Sequence, residues 1–100
     1  MDVSVVVTVL NEEGAVEELY RRVAASLDGS SWEAIFVDDG STDGTFARLR
    51  ELHDADPRVR VVRFKRNFGQ HPAMHAGLAR ARGASIVTMD GDLQNEPEDI

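Results

Sequence analysis

The run Ile86-Val87-Thr88-Met89-Asp90-Gly91-Asp92-Leu93-Gln94 passes from four apolar or β-branched residues straight into two carboxylates separated by one glycine. Its first part reads as a buried strand and its second as that strand's abrupt end. In extended backbone Asp90, Asp92 and Gln94 fall on one side and Leu93 on the other, because strand side chains alternate. Two carboxylates so close repel each other unless a cation lies between them. A small set of hard oxygen donors suits Mg²⁺ or Mn²⁺ that is also held by a substrate phosphate. Taken alone, the same residues make an equally good solvated acidic turn, since Asp and Gly are ordinary turn formers. The rest of the chain breaks the tie.

Upstream of this run the chain alternates strand and helix, with no repeat, low-complexity tract or linker. The helix before it starts at His71-Pro72, where a missing N–H costs nothing, and stops at Gly83. Ala73, Met74, Gly77, Leu78 and Ala81 give it a small-residue face that can sit close on a sheet. Residues 59–64 form a strand in which Val59, Val61, Val62 and Phe64 lean toward alternation with Arg60 and Arg63, as at a half-exposed sheet edge. A helix running to about His53 buries Phe46, Leu49 and Leu52. It follows the loop Asp38-Asp39-Gly40-Ser41-Thr42-Asp43-Gly44, whose Ser, Thr and Asp residues are natural N-caps. Residues 34–37 are a strand with Trp32 packing at the sheet margin. The first helix opens at Asn11-Glu12-Glu13-Gly14, carries a stripe of Val16, Leu19, Tyr20, Val23 and Leu27, and ends at Asp28-Gly29-Ser30-Ser31. Val3–Val9 is nearly all apolar, as a strand covered on both faces should be.

Four strands joined by right-handed helical crossovers predict an α/β, doubly wound, mainly parallel sheet of alternating βα units. In the strand order 3-2-1-4, ligands bind outside the carboxyl ends of strands one and four, where the order reverses. The conspicuous polar clusters all lie at carboxyl ends: residues 8–12, Asp38 and Asp39, Arg66 and Asn67, and Asp90 and Asp92. Scattered acidic turns have no reason to collect there, so the pattern favours a functional crevice.

Composition excludes several other classes. One hundred residues with 42% hydrophobic content make at most one modest core, and a net charge of −7 argues against nucleic acid as a partner. Without cysteine there is neither a disulfide framework nor a thiolate metal site. The apolar run at residues 3–10 lacks a basic leader and a cleavage site, and it is too short to span a bilayer. Neither acidic loop completes an EF-hand: Arg50 stands where the first would need Glu, and Asn95 where the second would need Gly. No GxGxxG or Walker loop is present. His71 and His75 read as surface residues, Met74 and Met89 as core filler, and Arg80 and Arg82 as a solvated helix end.

The strings at residues 5–13, 37–45, 66–70 and 89–94 together resemble family 2 glycosyltransferases of the GT-A, nucleotide-diphospho-sugar transferase-like fold. Within the family they are most similar to the polyprenyl-phosphate branch, which includes dolichyl-phosphate mannose synthase. The resemblance implies an inverting transferase that takes a sugar from a UDP- or GDP-sugar and gives it to a lipid-phosphate acceptor, with Mg²⁺ or Mn²⁺ as cofactor. It implies that Asp92 is the catalytic metal-binding residue of a DxD motif, with Asp90 and Gln94 assisting at the metal and the sugar diphosphate. Asp39 would read the base, Thr8, Val9 and Glu12 would face the nucleotide, and Arg66 and Gln70 would come from the loop over the base and phosphates. Asp38 would hold its loop through backbone N–H groups. Leu10 departs from the tyrosine common in the family, which removes an aromatic contact. Asn95-Glu96-Pro97-Glu98-Asp99-Ile100 looks like another helix beginning, and the acceptor half of such folds follows the DxD motif. Residues 1–100 are therefore expected to be the donor-binding part of a truncated domain, inactive alone. The intact protein is expected at the cytoplasmic face of a membrane, which it would reach only through segments beyond Ile100. Two alternatives stay open: a non-catalytic nucleotide-sugar-binding or interaction module if the chain ends naturally at Ile100, and, more weakly, a receiver-like phosphoacceptor domain.

Overall fold

The computed structural model describes residues 1–91. The elements are β1 (Val3–Val9), α1 (Val16–Ser26), β2 (Trp32–Asp38), α2 (Thr45–Ala55), β3 (Val59–Arg63), α3 (Gln70–Arg80) and β4 (Ser85–Asp90). The strands form one sheet in the order β3-β2-β1-β4. Every pair is parallel, with Val3 opposite both Trp32 and Ser85, and Ala34 opposite Val59. The expected order 3-2-1-4 and its reversal at β1 are what the chain adopts.

Alternation sends the two sides of each strand into different layers. Val5, Val7, Val9, Ala34, Phe36, Val59 and Met89 pack with Val16, Leu19 and Val23 of α1 and Leu49 of α2. The opposite face carries Val6, Ile35 and Val37 under Ala73 of α3. The small-residue face of α3 meets the sheet through Ala73 and Gly77, its buried positions, whereas Leu78, expected on that face, is exposed. A Cβ on Gly77 would collide with Val6, so this helix rests almost directly on β1.

Three local expectations change. β2 begins at Trp32, which is buried within the strand and lies under the Arg58 guanidinium at 4.1 Å. Pairing with Val3 draws the strand start back to it. The N-cap of α2 is Gly44, which makes no side-chain cap bond. Its neighbours substitute: Asp43 Oδ1 accepts from Thr45 N–H at 2.9 Å, and Glu13, from the β1–α1 loop, accepts from Gly44 N–H at 3.1 Å. β4 is buried on one face only, for Met89 lies in the core whereas Ile86 is 47% exposed. The reason is lateral: β4 sits at a sheet edge, and α3 covers β1 and β2.

Polar clusters pin the margins of the sheet. Tyr20 donates to Asp56 Oδ2 at 2.7 Å, and Arg58 holds the same carboxylate through two side-chain bonds of 3.0 and 2.9 Å. The Arg58 bonds, helped by that from Tyr20, outweigh burial and lower the Asp56 pKa to about 2. A carboxyl whose folded pKa lies below its unfolded value stabilises the protein above the unfolded value, and that stability disappears as pH falls through the folded one. Asp56 should therefore contribute about 1–2 kcal/mol at neutral pH, moderated by the solvent around Arg58. In urea titrations this increment should vanish between about pH 5 and pH 2. Asp56→Asn should lack that part of the slope, and a slope unchanged in the variant would contradict the assignment.

Candidate functional site

At the carboxyl ends of the strands a cleft of about 260 Å³ opens between the loops, bordered by Thr8, Val9, Leu10, Glu12, Asp39, Asn67, Gly69, Gln70 and Gly91. It lies beside β1, where the sheet order reverses, the position a doubly wound fold provides for a ligand. Its volume falls just short of the roughly 300–1,000 Å³ of ordinary small-molecule pockets.

Main-chain bonds continue the sheet into the cleft. Asp39 N–H donates to Val9 O and Gly91 N–H to Thr8 O, both at 2.9 Å. The β2–α2 and β4 exits are thereby fastened to either side of β1. Gly91 has no room for a side chain, since a Cβ there would run into Val9 and reach within 2.9 Å of Thr8 O. The glycine between the two carboxylates is thus a close-packing requirement.

Asp39 is 5% exposed. Its Oδ1 accepts from Phe68 N–H at 2.9 Å and its Oδ2 from Gly69 N–H at 3.1 Å, so it anchors the β3–α3 loop while bordering the cleft. Each carboxylate oxygen keeps further acceptor capacity. Asp38 holds its own loop as expected, with Oδ1 accepting from Ser41 N–H at 2.9 Å, while its buried Oδ2 has no partner among the described residues. Asn67 was legible only as a polar loop residue, yet it borders the cleft and its Oδ1 accepts from Gly69 N–H at 2.9 Å. Leu10 also borders the cleft, as an exposed apolar residue.

Of the residues singled out from sequence, Thr8, Val9, Glu12, Asp39 and Gln70 come together here. Arg66 does not reach the cleft wall; its guanidinium lies 4.7 Å over the ring of Phe68, itself 50% exposed and edge-on to Phe64. The backbone of Asp90 lies in β4 opposite Thr8. Asp92 and Gln94, and with them the expected metal site, lie outside the described residues, as does the helix expected after Asn95. Among the described residues no three His, Asp or Glu side chains converge as a metal set.

The electrostatics constrain what the cleft can hold. Glu12 and Asp39 are the charged residues of its described wall, and among the described residues no cationic side chain lines it. A cation would offset the repulsion of these carboxylates toward a diphosphate. The donor set of Asp90, Asp92 and Gln94 is all oxygen, which fits a hard divalent ion such as Mg²⁺ or Mn²⁺.

The family model for glycosyl transferase family 2 matches residues 4–100. The chain belongs to that family. It is 48% identical over 103 residues to a dodecaprenyl-phosphate galacturonate synthase of Rhizobium johnstonii, an alignment covering 100% of this chain and 30% of the relative. It thus spans about three tenths of the length of the curated relatives it matches. Among solved structures it resembles the mannosyltransferase PcManGT of Pyrobaculum calidifontis in complex with GDP-Man and Mn²⁺, with a TM-score of 0.80 and 29% identity, over 90% of this chain and 27% of that one. It also resembles glucosyl-3-phosphoglycerate synthase of Mycobacterium tuberculosis in complex with Mn²⁺, UDP and glucosyl-3-phosphoglycerate, with a TM-score of 0.72 and 32% identity, over 91% of this chain and 33% of that one. The fold is GT-A, and the chain corresponds to the N-terminal part of it. Both structures hold Mn²⁺ but different nucleotides.

Proposed function

We propose that residues 1–100 are the nucleotide-sugar-binding part of an inverting glycosyltransferase that moves a sugar from a UDP- or GDP-sugar to a polyprenyl phosphate. The observation that carries this reading is the cleft beside β1, where Asp39 and the end of β1 face Gly91 at the entrance to the acidic motif. Kinship with a dodecaprenyl-phosphate galacturonate synthase supports the acceptor class. Mn²⁺ in two neighbours supports a divalent ion.

In this reading Asp39 accepts a ring N–H of the base, using lone pairs left over from its two loop bonds. Thr8, Val9 and Glu12 form the wall along the nucleoside. Gly69 and Gln70 bring the N-terminus of α3 to the cleft, where the helix dipole favours an anion. Arg66 would transfer from Phe68 to the diphosphate. An exposed cation–π contact is worth about 0.5–1 kcal/mol, and a hydrogen bond to a charged group about 1.5–3 kcal/mol. Asp90, Asp92 and Gln94 would hold the Mg²⁺ or Mn²⁺, with Asp92 as principal ligand; the bound ion supplies charge neutralisation for the departing nucleoside diphosphate. The acceptor phosphate oxygen attacks the anomeric carbon in line as the bond to the diphosphate breaks, which inverts the configuration. That oxygen is already anionic, so the reaction needs little base catalysis.

Residues 1–100 alone would bind donor without transferring it. A lipid acceptor places the intact protein at a membrane surface, and we assign it the cytoplasmic face. No helix among the described residues is long and apolar enough to cross a bilayer. The test is transfer of labelled sugar by the intact protein from UDP- and GDP-sugars, with Mn²⁺, to undecaprenyl phosphate or undecaprenol. Label should enter the organic phase with the phosphate acceptor and one nucleotide class. Transfer to the alcohol alone, or to neither, would refute the acceptor assignment.

A further inference from the structure

We infer that Asn11, which is not part of the cleft wall, is a positioning residue for the nucleotide: it locks the two loops that bring Glu12 and Asp39 to the cleft at a fixed separation. The inference rests on the donor-binding reading above. Asn11 connects Leu10 and Glu12, both of which border the cleft. Its φ is 53°, the one positive value at a non-glycine position among the described residues. Asn is one of the few residues that adopt this left-handed conformation readily. The side-chain Oδ1 accepts from Thr42 N–H at 2.8 Å and from Thr42 Oγ1–H at 3.3 Å. Its backbone N–H donates to Ser41 Oγ at 2.9 Å.

These bonds begin a seam between the β1–α1 and β2–α2 loops. Glu12 N–H donates to Thr45 Oγ1 at 2.9 Å, Glu13 N–H to Asp43 Oδ2 at 3.4 Å, and Gly44 N–H to Glu13 Oε1 at 3.1 Å. The far side of the β2–α2 loop is fixed as well. Asp39 takes two N–H groups of the β3–α3 loop, and Gly40, at φ 81°, lies so close to the backbone of Arg66 and Asn67 that a Cβ would collide with it. Three loops therefore behave as one body with the Asp39 loop in the middle. Asn11 is the side chain of this seam next to the cleft-bordering Leu10 and Glu12, and its bonds to Ser41 and Thr42 join that segment to the loop that begins at Asp39. Loosening it changes the gap the nucleotide must fit, without removing a contact to the nucleotide.

The substitutions separate these roles. Asn11→Gly keeps the left-handed backbone and removes the acceptor, whereas Asn11→Asp keeps an acceptor oxygen and tolerates the same φ. In steady-state transfer assays of the intact protein, Asn11→Gly should raise the donor KM about 5–10-fold, the worth of about one hydrogen bond. The kcat at saturating donor and the acceptor KM should stay within about twofold. Asn11→Asp should return the donor KM to within about threefold of wild type. Ser41→Ala, which removes only the partner of the Asn11 N–H, should raise the donor KM about two- to threefold and covers the case in which Asn11→Gly does not fold. An unchanged donor KM in folded Asn11→Gly or Ser41→Ala, a fall in kcat that matches the rise in KM, or no rescue by Asp would overturn the inference while leaving the donor reading intact. Wild-type protein with no nucleotide-sugar dependence would overturn both.

Discussion

Asp92→Asn should lower the rate of sugar transfer by about 10²–10³-fold, the usual cost of removing one group that stabilises charge developing in a transition state. The reasoning begins at the cleft wall. Its described charges are the carboxylates of Glu12 and Asp39, and Arg66, the cation proposed for the diphosphate, is stacked on Phe68. In the proposed reaction, departure of a nucleoside diphosphate builds negative charge in surroundings that already repel it. Asp92 follows in sequence on Gly91, which borders the cleft and is fastened to Thr8 O, and we propose the DxD carboxylates as the groups through which a divalent ion would offset that charge. Asparagine preserves size and removes only the charge. Steady-state rates at saturating Mn²⁺, with melting temperature as control, measure the effect. A variant transferring sugar at the wild-type rate would show that Asp92 is not the metal residue.

Arg60→Ala should destabilise the fold by about 3–5 kcal/mol, the cost of stranding a buried charge. Glu33 is 2% exposed, and its carboxylate accepts from Ser4 Oγ–H at 2.6 Å, from Arg60 at 2.8 Å and from Arg82 N–H at 2.8 Å. Burial alone would raise the Glu33 pKa, but these donors more than offset it and hold the pKa below its ordinary value. Stability from Glu33 is therefore present above the unfolded carboxyl pKa and is lost as pH falls through the lower folded one. The penalty of Arg60→Ala should shrink on acidification, as protonation relieves the stranded charge. Glu33→Gln in the same background should recover part of it at neutral pH. Against a typical domain stability of about 5–15 kcal/mol, the single change removes a large share. Urea denaturation at pH 7 and pH 4 reads both effects, and a loss below about 1 kcal/mol at neutral pH would mean that the pair is solvated.

The Glu33 cluster also shows where reading the sequence stops. Val3–Val9 and the apolar stripe of α1 declare their structures through local periodicity, the parallel sheet followed from the helical crossovers, and its order is the common one for doubly wound folds. Ser4, Glu33 and Arg60 are far apart in the chain and meet only because the register sets Ser4 opposite Glu33 and places Arg60 one strand further on. A charged residue at the start of an otherwise apolar strand was the available sign. The same limit applies in the cleft. Thr8, Glu12 and Asp39 were legible as polar strand ends, but the two loop N–H groups bound by Asp39 depend on how far the β3–α3 loop folds back. Arg66 was expected over the phosphates, and its contact with Phe68, two residues along, is a choice of side-chain conformation that no pattern encodes. The cap of α2 escaped for a similar reason, because one of its acceptors, Glu13, comes from a different loop.

The most direct test of the central claim is calorimetry of UDP and GDP binding to the intact protein, with and without Mn²⁺, alongside Asp92→Asn. The account predicts that one nucleotide binds the wild type at least about tenfold more tightly with Mn²⁺, and that Asp92→Asn loses this gain while keeping the weak metal-free affinity set by Asp39 and the β1 wall. Binding that ignores Mn²⁺ in the wild type, or a Mn²⁺ enhancement that survives in Asp92→Asn, would contradict it.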